Sequence, residues 1–131
     1  MINQNNRPQL AVPVEAAASK KFPVLRAAKK MKVKSAVLVT VGAIPLSGSN
    51  YATLKLQKSA LLAGVPQAPA DITGVSAVDT QAGVAAYGHI ALDAAPEIVL
   101  EAGETLYLDH ALTGTLTVDA WLHLDLEVMA S

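Results

Sequence analysis

The chain contains no cysteine, which excludes disulfides and thiolate metal sites. Only five of its 131 residues are aromatic: Phe22, Tyr51, Tyr87, Tyr107 and Trp121. That leaves little for the aromatic platforms of a glycosidase cleft. Charged residues make up 16% of the chain against 52% apolar ones. Such a surface is short of charge for a solitary monomer and points to a subunit that buries part of its exterior on a partner. No apolar run approaches the roughly 18 residues that cross a bilayer. The opening MINQNNRPQLAVPVEAAASKK lacks a basic segment followed by an apolar one, so no secretory signal is expected. The eight glycines are dispersed rather than gathered in a phosphate-cradling loop, and no G-x-S-x-G motif occurs. These absences argue against an enzyme.

What the chain does have is a division of charge. Residues 1–64 hold all ten Lys and Arg with one acid, Glu15, and residues 65–131 hold the other ten acids with no Lys or Arg. The stretch KKFPVLRAAKKMKVK at 20–34 alone carries Lys20, Lys21, Arg26, Lys29, Lys30, Lys32 and Lys34. Nucleic-acid binding would use these as phosphate neutralisers. It is disfavoured, because the acidic half would repel a phosphate backbone and no recognition helix is in view. A row of solvated lysines guarding an edge strand is a second reading. The favoured one is a basic surface, including Arg7, that meets an acidic surface on a neighbouring copy or a partner lattice. Pairing within the chain, with Lys32 or Lys34 opposite Asp119 or Glu127, is the remaining alternative.

Hydrophobic alternation predicts an all-β chain. Residues 1–19 show no period and read as a flexible N-terminal arm, with a short helix at Ala16–Ala18 as the competing assignment. Residues 20–131 read as one antiparallel β-sandwich of seven or eight strands. Phe22 and Val24 belong to a first short strand that Pro23 places at an edge. In MKVKSAVLVTV the expectation is that Val33, Val37, Val39 and Val41 share one face, with Lys32, Lys34 and Thr40 on the other beside Ala36 and Leu38, a half-clean alternation. YATLKLQK reads as a strand with Ala52, Leu54 and Leu56 facing one way and Tyr51, Thr53, Lys55 and Gln57 the other. Residues 59–85 have no sustained period and read as a long excursion with a short strand over 71–78. YGHIAL, PEIVL and ETLYLDH are three further strands. TLTVDAWLHLDLEVM alternates almost without fault: Leu116, Val118, Leu122, Leu124, Leu126 and Val128 face one side, with Asp119, Trp121, His123, Asp125 and Glu127 on the other.

This order of elements, FPVLRA, KVKSAVLV, GSNYATLKLQK and LEAGETLYLDHALTGTLTVDAWLHLDLEV, resembles the small jelly-roll capsid decoration (cement) proteins of tailed bacteriophages. The likeness is carried by Gly103-Glu104-Thr105-Leu106, Thr113-Gly114, the long strand Leu116–Val128 and the Asn50-Tyr51-x-Thr53-Leu54 segment. It implies a jelly roll on the outer surface of a virion capsid, made in the host cytoplasm. It also implies a homo-oligomer, a trimer or a dimer, that contacts the major capsid protein, with an arm reaching a neighbouring subunit. The alternative is a receptor- or glycan-binding sandwich of a virion fibre or tail, for which Tyr87, Tyr107 and Trp121 are the candidate platforms. Tyr107, Trp121 and His123 form the candidate exposed contact face. The pair His123 and Asp125 invites a metal test, but no two histidines stand one residue apart as in cupin-like sites. No cofactor, metal, nucleic acid or membrane is expected.

Overall fold

The structure, a computed structural model, describes residues 8–94 and 98–129. Arg7 and residues 1–7 of the expected arm lie outside them. Eight strands of three or more residues carry the fold. They are β1 (Gln9–Ala16), β2 (Lys20–Arg26), β3 (Met31–Thr40), β4 (Tyr51–Ser59), β9 (His89–Leu92), β10 (Ile98–Leu100), β11 (Thr105–Thr113) and β12 (Val118–Val128). Four two-residue strands lie between β4 and β9: β5 (Leu61–Leu62), β6 (Val65–Pro66), β7 (Ala70–Asp71) and β8 (Val78–Asp79).

The strands divide between two antiparallel sheets. In sheet A, β1 pairs with β12, β12 with β3, and β3 with both β9 and β10. In sheet B, β2 pairs with β11, β11 with β4, and β4 with both β7 and β8. The first strand therefore lies beside the last and the second beside the second-last, with β1 to β4 alternating between the sheets. That is the connectivity of a jelly roll, in which one long hairpin is wrapped into two layers.

Period-two alternation supplies the core. Leu54, Leu56, Leu106 and Leu108 from sheet B meet Val14, Leu38, Leu122, Leu124 and Ile98 from sheet A, all with 2% exposure or less. Each such leucine contributes about 1.5–3 kcal/mol by leaving water. No Phe, Tyr or Trp is among the fully buried residues, so aliphatic side chains, joined by His110, fill the interior. At one end the turn between β11 and β12 rests on the loop before β4. Gly114 has φ of 75° there, a Cβ on it would fall 2.2 Å from the Ser49 carbonyl oxygen, and Asn50 Oδ1 accepts from Thr115 N at 2.8 Å. Only glycine fits that approach.

Three expectations are corrected. Residues 9–16 are not an arm: β1 pairs along its whole length with β12, from Gln9 opposite Asp125 to Ala16 opposite Val118. Leu10, Val12, Val14 and Ala16 alternate inward, which gives the segment a reason to stay, and Pro13 is tolerated because β1 is an edge strand. The sandwich thus begins near residue 9 rather than 20.

The single face expected for Val33, Val37, Val39 and Val41 is also divided. Ser35 lies opposite Asp125 and Val33 opposite Leu126, so Lys34 is an extra residue in a β-bulge. The bulge reverses the phase of the strand. Met31 and Val33 point inward before it, and Ala36, Leu38 and Thr40 do so after it, leaving Val37, Val39 and Val41 outside.

The excursion, finally, is more ordered than its composition suggests. In place of one strand over 71–78, β7 and β8 flank that stretch and pair with β4 at Lys58/Gln57 and Leu54/Thr53, while Val75 packs into the core.

Candidate partner-binding face

The seven cations of residues 20–34 do not gather on one surface. Lys20 Nζ sits 4.8 Å above the Phe22 ring. Lys21 Nζ donates to Gln57 Oε1 at 2.5 Å and lies 3.7 Å from Asp109 on the outside of sheet B. Arg26 ends β2 opposite Thr105, and Lys29 and Lys30 occupy the turn into β3, where Lys30 lies 3.6 Å from Glu101. Lys32 is directly opposite Glu127 in sheet A, and Lys34 is the bulged residue beside it. The jelly roll explains the scatter. It places strands of the basic half between or beside strands of the acidic half in both sheets, so a division that is lengthwise in the chain becomes alternation across the fold. These exposed ion pairs are worth about 0–1 kcal/mol each.

The outer face of sheet B is a polar surface already satisfied within the chain. Gln57, 6% exposed, accepts from Lys21 and donates through Nε2 to Asp71 Oδ1 at 2.7 Å. Lys55 Nζ donates to Asp71 Oδ2 at 3.0 Å. The Gln57 amide first, and then the Lys55 ammonium, hold the Asp71 carboxyl below the usual carboxylate range. Tyr107 lies in this layer, between Pro23 and Gln57. Nearby, Glu104 is buried rather than solvated: its carboxylate accepts from Glu101 N at 2.8 Å and lies 3.3 Å from Lys58 Nζ.

The outer face of sheet A is different. One row across four strands reads Pro13, Trp121, Val39 and His89, and the next reads Ala11, His123, Val37 and Ala91. Trp121 is 46% exposed at the centre of the first row. Shallow depressions of about 400 Å³ and about 310 Å³ lie on either side of Val37, the first bordered by Gln9 and His123 and the second by Lys34 and Ala94. The apolar character continues over the adjoining end of the sandwich through Val41, Leu46 and Tyr87. Tyr87 is 74% exposed with φ of 60°, a left-handed backbone that is uncommon for an aromatic residue.

Trp121 and His123 therefore share a face, as expected, but Tyr107 lies on the opposite side of the molecule. The three aromatics proposed as platforms do not converge. Val37, Val39 and Val41, expected on the face of Val33, lie on the outer side instead while Val33 is buried, and the bulge at Lys34 parts them. Among the described residues no three His, Asp or Glu side chains gather to hold a metal ion. No protein-family model matches the chain, and no curated protein is significantly similar to it.

Proposed function

We propose that this chain is a non-enzymatic structural protein of a phage virion, a decoration protein that docks on the major capsid protein through the outer face of sheet A and stabilises capsomer boundaries. The observation that carries the reading is the contrast between the two sandwich faces. One is a polar network paired within the chain, whereas the other sets a half-exposed tryptophan beside Pro13, Val37 and Val39, with Asp119, His123 and Asp125 around them. A strand face of this kind suits a second flat surface, and a stable contact removes about 800 Å² from each partner. The resemblance to jelly-roll decoration proteins and the jelly-roll connectivity support the same reading. Lys21, Lys30, Lys55 and Lys58, being paired within the chain, orient the module rather than grip the shell. Several copies binding adjacent capsomers convert weak single contacts into firm attachment.

The test is co-sedimentation with undecorated heads of the cognate phage. Wild-type protein and a Tyr107→Lys variant, altered on the opposite face, are expected to pellet with the heads. Trp121→Lys is expected to bind roughly 30-fold more weakly, the effect of a central tryptophan worth about 2 kcal/mol. Equal binding by Trp121→Lys and wild type would remove sheet A from the contact.

A further inference from the structure

Two carboxylates face each other on the outer side of sheet A. Glu15 of β1 lies directly opposite Asp119 of β12, and both residues are exposed. Side chains so paired have Cβ atoms about 5 Å apart, and like charges at that spacing weaken a sheet. Among the described residues neither carboxylate has an ion-pair partner. Lys20, the next basic residue along the chain from Glu15, has crossed to sheet B, where its Nζ sits 4.8 Å above the Phe22 ring. Lys32 stands at the far end of sheet A, opposite Glu127. The interval from Asp119 to Glu127 along β12 is about 26 Å at strand rise, more than two Debye lengths at physiological salt.

The acidic pair adjoins the tryptophan. The next outward row along β1 and β12 is Pro13 and Trp121, about 7 Å away. Val41, whose N–H donates to the Asp119 carbonyl at 2.9 Å, extends the carboxylate row on the β3 side. Trp121 is half-exposed, and among the described residues no cation lies over its indole. Further along the strand stand His123 and Asp125. The outward side of β12 thus runs carboxylate, indole, imidazole, carboxylate, with Glu15 beside the first.

Both features call for the same chemistry. Indole is the best aromatic partner for a cation, and a planar guanidinium can stack on it while donating to carboxylates through its edge. A positive group between Glu15 and Asp119 also turns their repulsion into attraction. A purely apolar partner would instead bury two charges without a counter-charge, at a large desolvation cost. An anionic surface, nucleic acid included, would be repelled.

We propose that the partner meeting sheet A presents an arginine, whose guanidinium stacks on Trp121 and pairs with Glu15 and Asp119. The inference rests on sheet A as the docking face and names the chemistry of what docks there. It inverts the sign that the basic stretch suggests: this chain supplies the acid and its partner the base. Pro13, Val39 and Val41 supply the apolar surround that keeps water from the pair.

Trp121 is the one tryptophan of the chain, so its emission reports this face alone. The experiment titrates the full chain with a short arginine-rich peptide, and with lysine and glutamine peptides of the same length. The arginine peptide is expected to shift the emission saturably, the lysine peptide to bind more weakly and the glutamine peptide not to bind. Glu15→Gln/Asp119→Asn is expected to bind the arginine peptide about tenfold more weakly. The same variant is expected to melt no lower than wild type, because it loses a repulsion. Glu101→Gln, altered at a remote acid, is expected to match wild type. No saturable response to arginine, or equal affinity in the double variant, would overturn the proposal. So would equally tight binding of the glutamine peptide, which would make the contact plainly apolar. A rise in sedimentation mass that Trp121→Lys abolishes would overturn it too, by making a second copy the occupant. Phage heads separate the two readings. Heads that bind the double variant as well as wild type would remove the arginine contact and leave docking on sheet A standing. A saturable arginine response without head binding would keep the contact and remove the capsid as its partner.

Discussion

His110 is fully enclosed between the sheets, with its ring edge-on to Phe22 at 6.4 Å and 85°. Its Nδ1 donates to the Ala18 carbonyl at 3.1 Å, which leaves Nε2 as a buried acceptor with no partner among the described residues. Burial pushes the imidazole below its ordinary value, against a smaller opposing pull from the Ala18 carbonyl. The folded protein therefore holds His110 neutral, while the unfolded chain binds a proton below about pH 6.5. Stability is present in full above that pH and is lost as the pH falls toward the lower, folded value. Denaturant midpoints measured from pH 7.5 to 5 are expected to decline for wild type and to decline less for His110→Leu. Parallel slopes would assign the effect elsewhere. This role is hidden in the sequence, where His110 follows Asp109 in a strand like any polar-face residue. Strict alternation from Leu106 and Leu108 does place it inside, and that is the signal that identifies it.

At the scale of the element, strands with unbroken alternation were legible and those with an interruption were not. β4, β11 and β12 turn inward the residues their period indicates, because nothing shifts their phase. β3 reads wrongly beyond Lys34 because a bulge depends on its partner's register, which no local pattern records. β1 escaped notice because Pro13 and a run of alanines resemble a linker, although its inward residues alternate as well as those of any other strand. The consequence is testable. Deleting residues 1–16 removes the buried Val14 and Ala16 and bares the edge of β12. It is expected to cost about 3 kcal/mol or more and to promote aggregation. Thermal melts and light scattering measure both, and a truncated chain as stable and soluble as wild type would refute the assignment of β1 to the sandwich.

For the molecule as a whole, the division of charge was plain in the sequence, but its destination was not. Whether basic and acidic halves meet within a chain or between chains depends on topology, and jelly-roll wrapping brings Lys21 to Asp109, Lys58 to Glu104 and Lys55 to Asp71 internally. Salt should therefore act on stability rather than on assembly. Raising NaCl from about 0.05 M to about 1 M screens these pairs. It is expected to lower the melting temperature by a few degrees, the equivalent of about 1 kcal/mol, while the sedimentation mass stays constant. Dissociation in high salt would instead return the lysines to an interface between subunits. The same distinction bears on the candidate face: the apolar surface of sheet A became visible only once the phase of β3 was known.

The pairing of the first long strand with the last also sets a timetable. Among the described residues β1 has no ladder neighbour but β12, so sheet A cannot close until the C-terminal segment has been made. At ribosomal speeds that leaves β1 and its inward-facing side chains without their ladder for on the order of ten seconds. Contacts so distant along the chain also form slowly once the chain is free. The nascent N-terminal half, strongly cationic, spends that interval kept from its own kind by repulsion, and the late-arriving acidic half then discharges it as the roll closes.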